Sequence, residues 1–303
     1  MIRVLVTGAA GQVGQDLLDV LAGGTPLGGD PSFQPDGLPI GSDEFAVMGL
    51  THHDLDITDP DAVHRTVAMA RPDVIIHLAA YTAVDKAESD EETCIAVNAL
   101  GTGALSDAAH AVGAHFIAVS TDYVYDGTKS EPYVETDATN PLGVYGRSKL
   151  AGEELCRPED TIVRTSWVMG VRGRNVLHVI GDRVAKGEPV RFVTDQIGTP
   201  TFAADLARAL VALARRRPGG IWHLANRGTT SWFDVARSAA ELFGAPADFV
   251  TPILTSELTP APAATRPAHS SLSTDKWEAA GFAPMPDWHE GLARFVRDRS
   301  LRP

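Results

Sequence analysis

The chain has 303 residues, 44% of them hydrophobic and 21% charged, with a formal net charge of −13. That length can bury a sizeable core as one large α/β unit or two lobes, and an acidic chain without a long basic run excludes nucleic acid, whose phosphates it would repel. Only two cysteines occur, Cys94 and Cys156, which excludes a disulfide scaffold and fits a reducing cytoplasm.

Ile2–Val6 is a short apolar run that reads as a buried strand and turns at once through Thr7 and Gly8. It is too short for the core of a signal peptide, and no apolar run reaches the ~18 residues of a membrane helix, so no membrane partner is expected. Helical periodicity over Val13–Leu21 is followed by a strand at Phe45–Leu50, a helix at Asp61–Ala70 and a β-branched strand at Val74–Leu78. A long helix over Glu91–Val112, a strand at His115–Ser120, a helix at Val144–Leu155 and a strand at Ile162–Arg164 complete the first half. Strands alternating with helices predict right-handed βαβ units, hence an α/β fold with a Rossmann-type, doubly wound parallel sheet.

The second half is less regular. Helices are expected at Asn175–Lys186, Ala203–Arg215, Trp232–Phe243 and about Trp288–Val296, with strands at Val190–Val193 and Ile221–Leu224 and a Pro/Ala/Thr loop at Leu258–Pro267. The expected organisation is a dinucleotide-binding domain over 1–165, to which elements from about 175–225 return, and a smaller, mainly substrate-binding lobe over 166–303. Gly23–Glu44 holds six glycines and four prolines where such units usually spend two to six residues. It reads as a floppy surface insertion, with a lid or interface as the alternative.

Thr7-Gly-Ala-Ala-Gly-Gln-Val-Gly14 joins the first strand to the first helix. Gly8 permits the tight turn, Gly11 lets backbone approach a pyrophosphate, and Gly14 lets the helix pack on the sheet. Unpaired N–H groups at the helix start would then hold the phosphates. The second strand ends Gly49-Leu-Thr-His-His53, with neither the carboxylate that binds an NAD ribose nor an Arg or Lys for the NADP phosphate. Without a carboxylate to repel it, a 2′-phosphate could bond Thr51 or His52, so NADPH is the expected cofactor, with NADH also accepted. His52 and His53 followed by Asp54 do not make a metal site, because adjacent residues at a strand end point opposite ways.

Tyr145 and Lys149, in Val144-Tyr-Gly-Arg-Ser-Lys149, lie one turn apart on one helix face. A fixed ammonium stabilises phenolate and is expected to lower a tyrosine pKa otherwise near about 10. Tyr-x-x-x-Lys with this glycine turn resembles the extended short-chain dehydrogenase/reductase superfamily. Longer strings narrow the likeness: Leu78-Ala-Ala-Tyr-Thr-Ala-Val-Asp-Lys-Ala-Glu88, Ser120-Thr-Asp-Tyr-Val-Tyr-Asp-Gly127, Val144-Tyr-Gly-Arg-Ser-Lys-Leu-Ala-Gly-Glu153, Arg164-Thr-Ser-Trp-Val168, Asp195-Gln-Ile-Gly-Thr-Pro-Thr201 and Arg266-Pro. In order and over nearly the whole chain, they resemble dTDP-4-dehydrorhamnose reductase.

The resemblance implies NAD(P)H-dependent reduction of the C4 ketone of a dTDP-4-keto-6-deoxy sugar, with dTDP-4-dehydro-L-rhamnose foremost. It makes Tyr145 the proton donor, Lys149 the holder of the nicotinamide ribose, and Thr121 the hydroxyl that bonds the carbonyl oxygen. It places Gly11, Gln12 and Val13 on the phosphates, Asp56 and Ile57 near adenine, and Ala80, Tyr81 and Thr82 along the cofactor. Asp122 and Trp167 would hold the sugar, and Arg266 the substrate pyrophosphate. Some relatives dimerise through a magnesium ion held by carboxylates; Asp16 lies near the relevant helix, but no metal is predicted here, and a homodimer is allowed rather than required. Alternatives are a sibling ketoreductase of another deoxysugar (a dihydrostreptose-like unit), a non-catalytic subunit like the β subunit of methionine adenosyltransferase, and an epimerase or dehydratase. The insertion at Gly23–Glu44 and the bare strand end depart from the family pattern and bear on substrate and cofactor choice.

Overall fold

The computed structural model describes residues 1–299; the last four residues of the expected second lobe lie outside the described residues. β1 (Ile2–Thr7), α1 (Gln12–Leu21), β2 (Phe45–Leu50), α2 (Pro60–Ala70) and β3 (Val74–His77) open the chain. Then come α3 (Val84–Ala87), α4 (Glu91–Ile95), α5 (Gly101–Ala111), β4 (His115–Thr121), α6 (Val144–Glu154) and β5 (Thr161–Thr165). The second half contains β6 (Val168–Met169), α7 (Val176–Lys186), β7 (Val190–Val193), β8 (Ile197–Gly198), β9 (Thr201–Phe202), α8 (Ala203–Arg216) and β10 (Gly220–His223). It closes with β11 (Thr230–Ser231), α9 (Trp232–Leu242), β12 (Val250–Ile253), α10 (Asp275–Ala279) and α11 (Trp288–Asp298).

Six strands form one parallel sheet in the order β10-β5-β4-β3-β1-β2. Val4, Leu5 and Val6 of β1 and all four residues of β3 are buried, as central parallel strands covered on both faces require. α1 and α8 cover one face, α2 and α5 the other. The order reverses between β1 and β3, which opens a crevice beyond the strands' C-terminal ends. A second core, built from α7, α9, α11 and residues around β6 and β9, stands beside that crevice.

Two expectations need correcting. The helix expected over Glu91–Val112 is interrupted by a π-helical turn at Ala96–Leu100, with right-handed helical dihedrals on both sides. Its cause is Asn98, whose side chain accepts from Tyr81 N at 2.8 Å and donates to Tyr81 O at 3.0 Å and Ser148 Oγ at 3.0 Å. A single extra residue in the turn aims Asn98 at these partners, the use to which π-bulges are commonly put.

The segment 23–44 is not floppy. Phe33 is buried in the α1–α8 core, Ile40 packs on that core, and Leu27 on the second one. Arg215 of α8 clamps it, bonding Asp36 at 3.0 and 2.9 Å and Glu44 at 2.6 Å through two nitrogens. Arg208 reaches Phe33 O and Thr25 Oγ1, Ala283 N donates to Pro35 O at 2.7 Å, and Arg294 Nε donates to Gly28 O at 2.8 Å. The strap explains why α8 is buried on every side from Ala203 to Ala214. Its glycines and prolines shape a bound path, and composition alone does not reveal the arginines that hold it.

Candidate active site

A cavity of about 780 Å³ fills the crevice, lined by the glycine turn, the ends of β2, β3 and β4, the start of α6 and the indoles of Trp167 and Trp232. Gly8 sits at φ +71°, and a Cβ there would lie 2.6 Å from Ala79 N; one at Gly14 would lie 2.3 Å from Gly8 O. Both positions therefore demand glycine. Gly11 caps α1 without a side-chain hydrogen bond, and no acidic residue stands in the first turn. The free amides and positive end of α1 thus face the cavity as an anion site. Gln12 contributes its backbone there, since its side chain ties the turn to the second half, donating to Val168 O at 3.0 Å and accepting from Asn175 Nδ2 at 3.3 Å. Val13 lines the cavity beside it.

At the end of β2, Thr51 and His52 line the cavity. Asp54 is turned away, accepting from Thr51 N at 2.8 Å and Thr51 Oγ1 at 2.7 Å, bonds that hold its carboxyl below the ordinary range. Asp56 lines the rim while its carboxylate accepts from Thr58 N and Oγ1; Ile57 is buried behind it. Ala80, Tyr81 and Thr82 run along the wall, with both backbone polar groups of Tyr81 fixed by Asn98. A cradle of obligatory glycines, an uncapped helix end and a rim free of unpaired carboxylate fit a dinucleotide pyrophosphate and a 2′-phosphate. Among the described residues no group of three or more His, Cys, Asp and Glu is arranged to hold a metal ion. Asp16 is buried with Arg172 as its nearest cation at 3.5 Å.

Tyr145, Lys149 and Thr121 meet at the cavity floor. Thr121, last residue of β4, accepts from Tyr123 N at 3.2 Å and donates to Asp122 Oδ1 at 3.1 Å, and its hydroxyl lies on the same cavity wall as the Tyr145 phenol. The Tyr145 ring meets Tyr123 edge-on, centroids 5.7 Å apart. Burial pushes Tyr145 up to about 12, opposed by the neighbouring Thr121 hydroxyl. Lys149 is buried, donates from Nζ to Val119 O at 2.8 Å, and is pulled down to about 8 by burial. The expectation that Lys149 lowers the tyrosine's pKa therefore needs correcting. One helix face carries both residues, and the Lys149 ammonium is engaged by the β4 backbone at Val119 O. Tyr145 is left a fully protonated donor through the neutral range.

Asp122 is buried beside Thr121, accepts from Ser270 Oγ at 2.5 Å, and is pushed up to about 7 by burial. Trp167 sits at φ +45° with its indole stacked on Trp232 at 4.0 Å between centroids. A Cβ at Gly198 would lie 2.5 Å from that indole, so Gly198 leaves the room Trp167 occupies. Arg266 is not at the cavity: it forks onto Asp85 of α3 at 2.8 and 2.7 Å and donates to Ala264 O. Asp85, 181 residues away in sequence, is the carboxylate its guanidinium meets in space. Sequence reasoning missed Asn98, Ser270 and Trp232. The π turn hides the first, and the other two carry no local pattern.

Residues 39–300 match the family model described as the RmlD substrate binding domain. A dTDP-4-dehydrorhamnose reductase of Mycobacterium tuberculosis is 41% identical over 300 residues, covering 96% of this chain and 91% of that one. A Streptomyces niveus protein named dTDP-4-keto-6-deoxy-D-glucose reductase is 36% identical, covering 96% of each. The crystal structure of dTDP-4-dehydrorhamnose reductase from Bacillus anthracis in complex with NADP superposes with a TM-score of 0.85 at 35% identity, covering 98% of this chain and 99% of that one.

Proposed function

Since the chain belongs to the dTDP-4-dehydrorhamnose reductase family, we propose that it uses NADPH to reduce the C4 ketone of a dTDP-4-keto-6-deoxy sugar, dTDP-4-dehydro-L-rhamnose being converted to dTDP-L-rhamnose. The observation that carries this reading is the convergence of Thr121, Tyr145 and Lys149 on the cavity that the glycine turn opens. Reduced nicotinamide, when bound, supplies the hydride. Thr121 swings its hydroxyl proton from Asp122 Oδ1 to the ketone oxygen and polarises it. As negative charge develops on that oxygen, Tyr145 transfers its phenolic proton to it, giving the alcohol. Lys149 would hold the nicotinamide ribose, and the first-turn amides of α1 with Gly11, Gln12 and Val13 would hold the pyrophosphate. Asp122 and Trp167 would orient the sugar, one as an acceptor fixed by Ser270, the other as an apolar platform.

The substrate assignment is tested by following nicotinamide absorbance with a panel of dTDP-4-keto sugars. Turnover of the rhamnose precursor at the highest kcat/KM is expected. Turnover confined to other 4-keto sugars would favour the sibling reading, which the Streptomyces niveus relative's name supports. With NADPH and a nucleotide sugar as reactants, the cytoplasm is the proposed location. No helix among the described residues is long and apolar enough to cross a membrane.

Cofactor choice gives a separate prediction. His52→Asp places an unpaired carboxylate at the rim where Asp54 is already engaged. Affinity for NADPH should fall about tenfold or more, with NADH less affected, because like charge repels the 2′-phosphate. Equal effects on both cofactors would refute this placement.

A further inference from the structure

Behind the reactive face of α6 lies a buried ionic network. Glu153 stands one turn beyond Lys149 on α6. Its Oε1 accepts from Ser120 Oγ at 2.5 Å and from Arg164 Nε at 3.0 Å, and its Oε2 from Arg164 Nη2 at 2.6 Å. Arg164 Nη1 donates to the Tyr125 hydroxyl at 2.7 Å, which shares a 2.8 Å bond with His223 Nε2. Val119 bonds Lys149 through its carbonyl, and Ser120 bonds Glu153 through its hydroxyl. Two successive residues of β4 are thus stitched to Lys149 and Glu153 of α6, immediately before Thr121.

We propose that Glu153 is a positioning residue for the reduction: fixed by Ser120 and Arg164, its carboxylate keeps the Lys149 ammonium charged in a dry site and holds α6 in register with Thr121. The assignment rests on the reading of Tyr145, Lys149 and Thr121 as the reductive site. An isolated buried ammonium is costly and tends to give up its proton. The groups facing Lys149 are Glu153 and Tyr145 on its own helix, Cys156 just beyond it, Cys94 from α4 and His77 from β3. Burial pushes Tyr145 and Cys156 up to about 12, raises Cys94, and pulls His77 down to about 3. All four are therefore neutral from neutral pH to pH 8. Among these groups only Glu153 is a carboxylic acid, and Arg164 is the cation paired with it at 2.6 Å.

A purely structural role would lower function equally at every pH, whereas a charge role moves a titration. NADPH affinity, followed by fluorescence titration across the neutral and alkaline range, reads the charge of Lys149 without requiring turnover. The native protein should lose affinity along an alkaline limb near pH 8. Glu153→Gln should move that limb down by about 1 unit or more. Arg164→Gln, which removes the cation and leaves the carboxylate, should move it up. A limb unmoved in E153Q, or moving the same way in both variants, overturns the proposal. Should E153Q not fold, R164Q decides alone: an upward shift supports the proposal, and an unmoved or lowered limb overturns it. If the native protein binds NADPH and shows these shifts yet reduces no dTDP-4-keto sugar, the reductase reading fails and the coupling of Glu153 to Lys149 stands.

Discussion

Tyr145→Phe is expected to lower ketone reduction by about 10²–10⁴-fold, the usual worth of a positioned general acid, while NADPH binding stays nearly intact. The phenol holds its proton throughout the neutral range because burial sets it at about 12. An alkoxide developing at the ketone oxygen is a stronger base, so the proton moves downhill only as the hydride arrives. Phenylalanine keeps the ring that meets Tyr123 edge-on and leaves the β4–α6 contacts of Lys149 in place. The loss should therefore fall on kcat, measured by single-turnover absorbance, with the cofactor Kd as the control. Full turnover in Y145F would remove the phenol from the mechanism.

The largest expected effect on stability lies away from the cavity. Arg294 Nη2 donates to both oxygens of fully buried Asp205, at 2.7 and 2.5 Å, and its Nε to Gly28 O. Asp205 also accepts from Asn226 Nδ2 at 2.7 Å. Removing one partner of a buried pair strands the other charge, so Arg294→Leu should cost about 3–5 kcal/mol in urea or thermal unfolding. Even with the pair intact, burial raises Asp205 to about 6 from an ordinary 3.8. A carboxyl whose folded pKa exceeds its unfolded value binds more protons when folded, so its contribution to stability falls as pH rises through that interval. Without the guanidinium the interval extends further upward. The deficit of Arg294→Leu relative to the native chain should accordingly be smaller in mild acid than above neutrality. Adding Asp205→Asn should restore much of the loss, because no buried charge then remains; no restoration would show that packing, not charge, was lost.

The alternation of β-branched runs with helical periodicity carries the sheet, and residues 45–50 and 190–193 form strands with the ends that pattern predicts. A central strand such as Val74–His77 is legible because burial on both faces demands uninterrupted apolar side chains. The glycine turn is equally legible, since Gly8 and Gly14 answer local steric demands. Other features depend on distant partners. The pairing of Arg266 with Asp85 and of Lys149 with Val119 O joins segments far apart in sequence, which no local spacing announces. The π turn at Ala96–Leu100 is invisible to periodicity because one added residue changes the phase only after it has occurred.

The strap at 23–44 leaves the ribosome early and finds its seat late. Phe33 and Gly28 wait for α8 and α11, and Arg294 is made roughly 250 residues after Glu44. At about 5–20 residues per second, that delay is roughly 10–50 s of synthesis. For this interval the segment hangs beside a growing hydrophobic sheet with its future partners still unmade. Its six glycines and four prolines discourage stray helix or strand, and Leu27, Phe33, Leu38 and Ile40 are its only large apolar side chains. The composition that gives the strap no structure of its own also lets it remain unattached without pairing wrongly, until the C-terminal arginines arrive to fasten it.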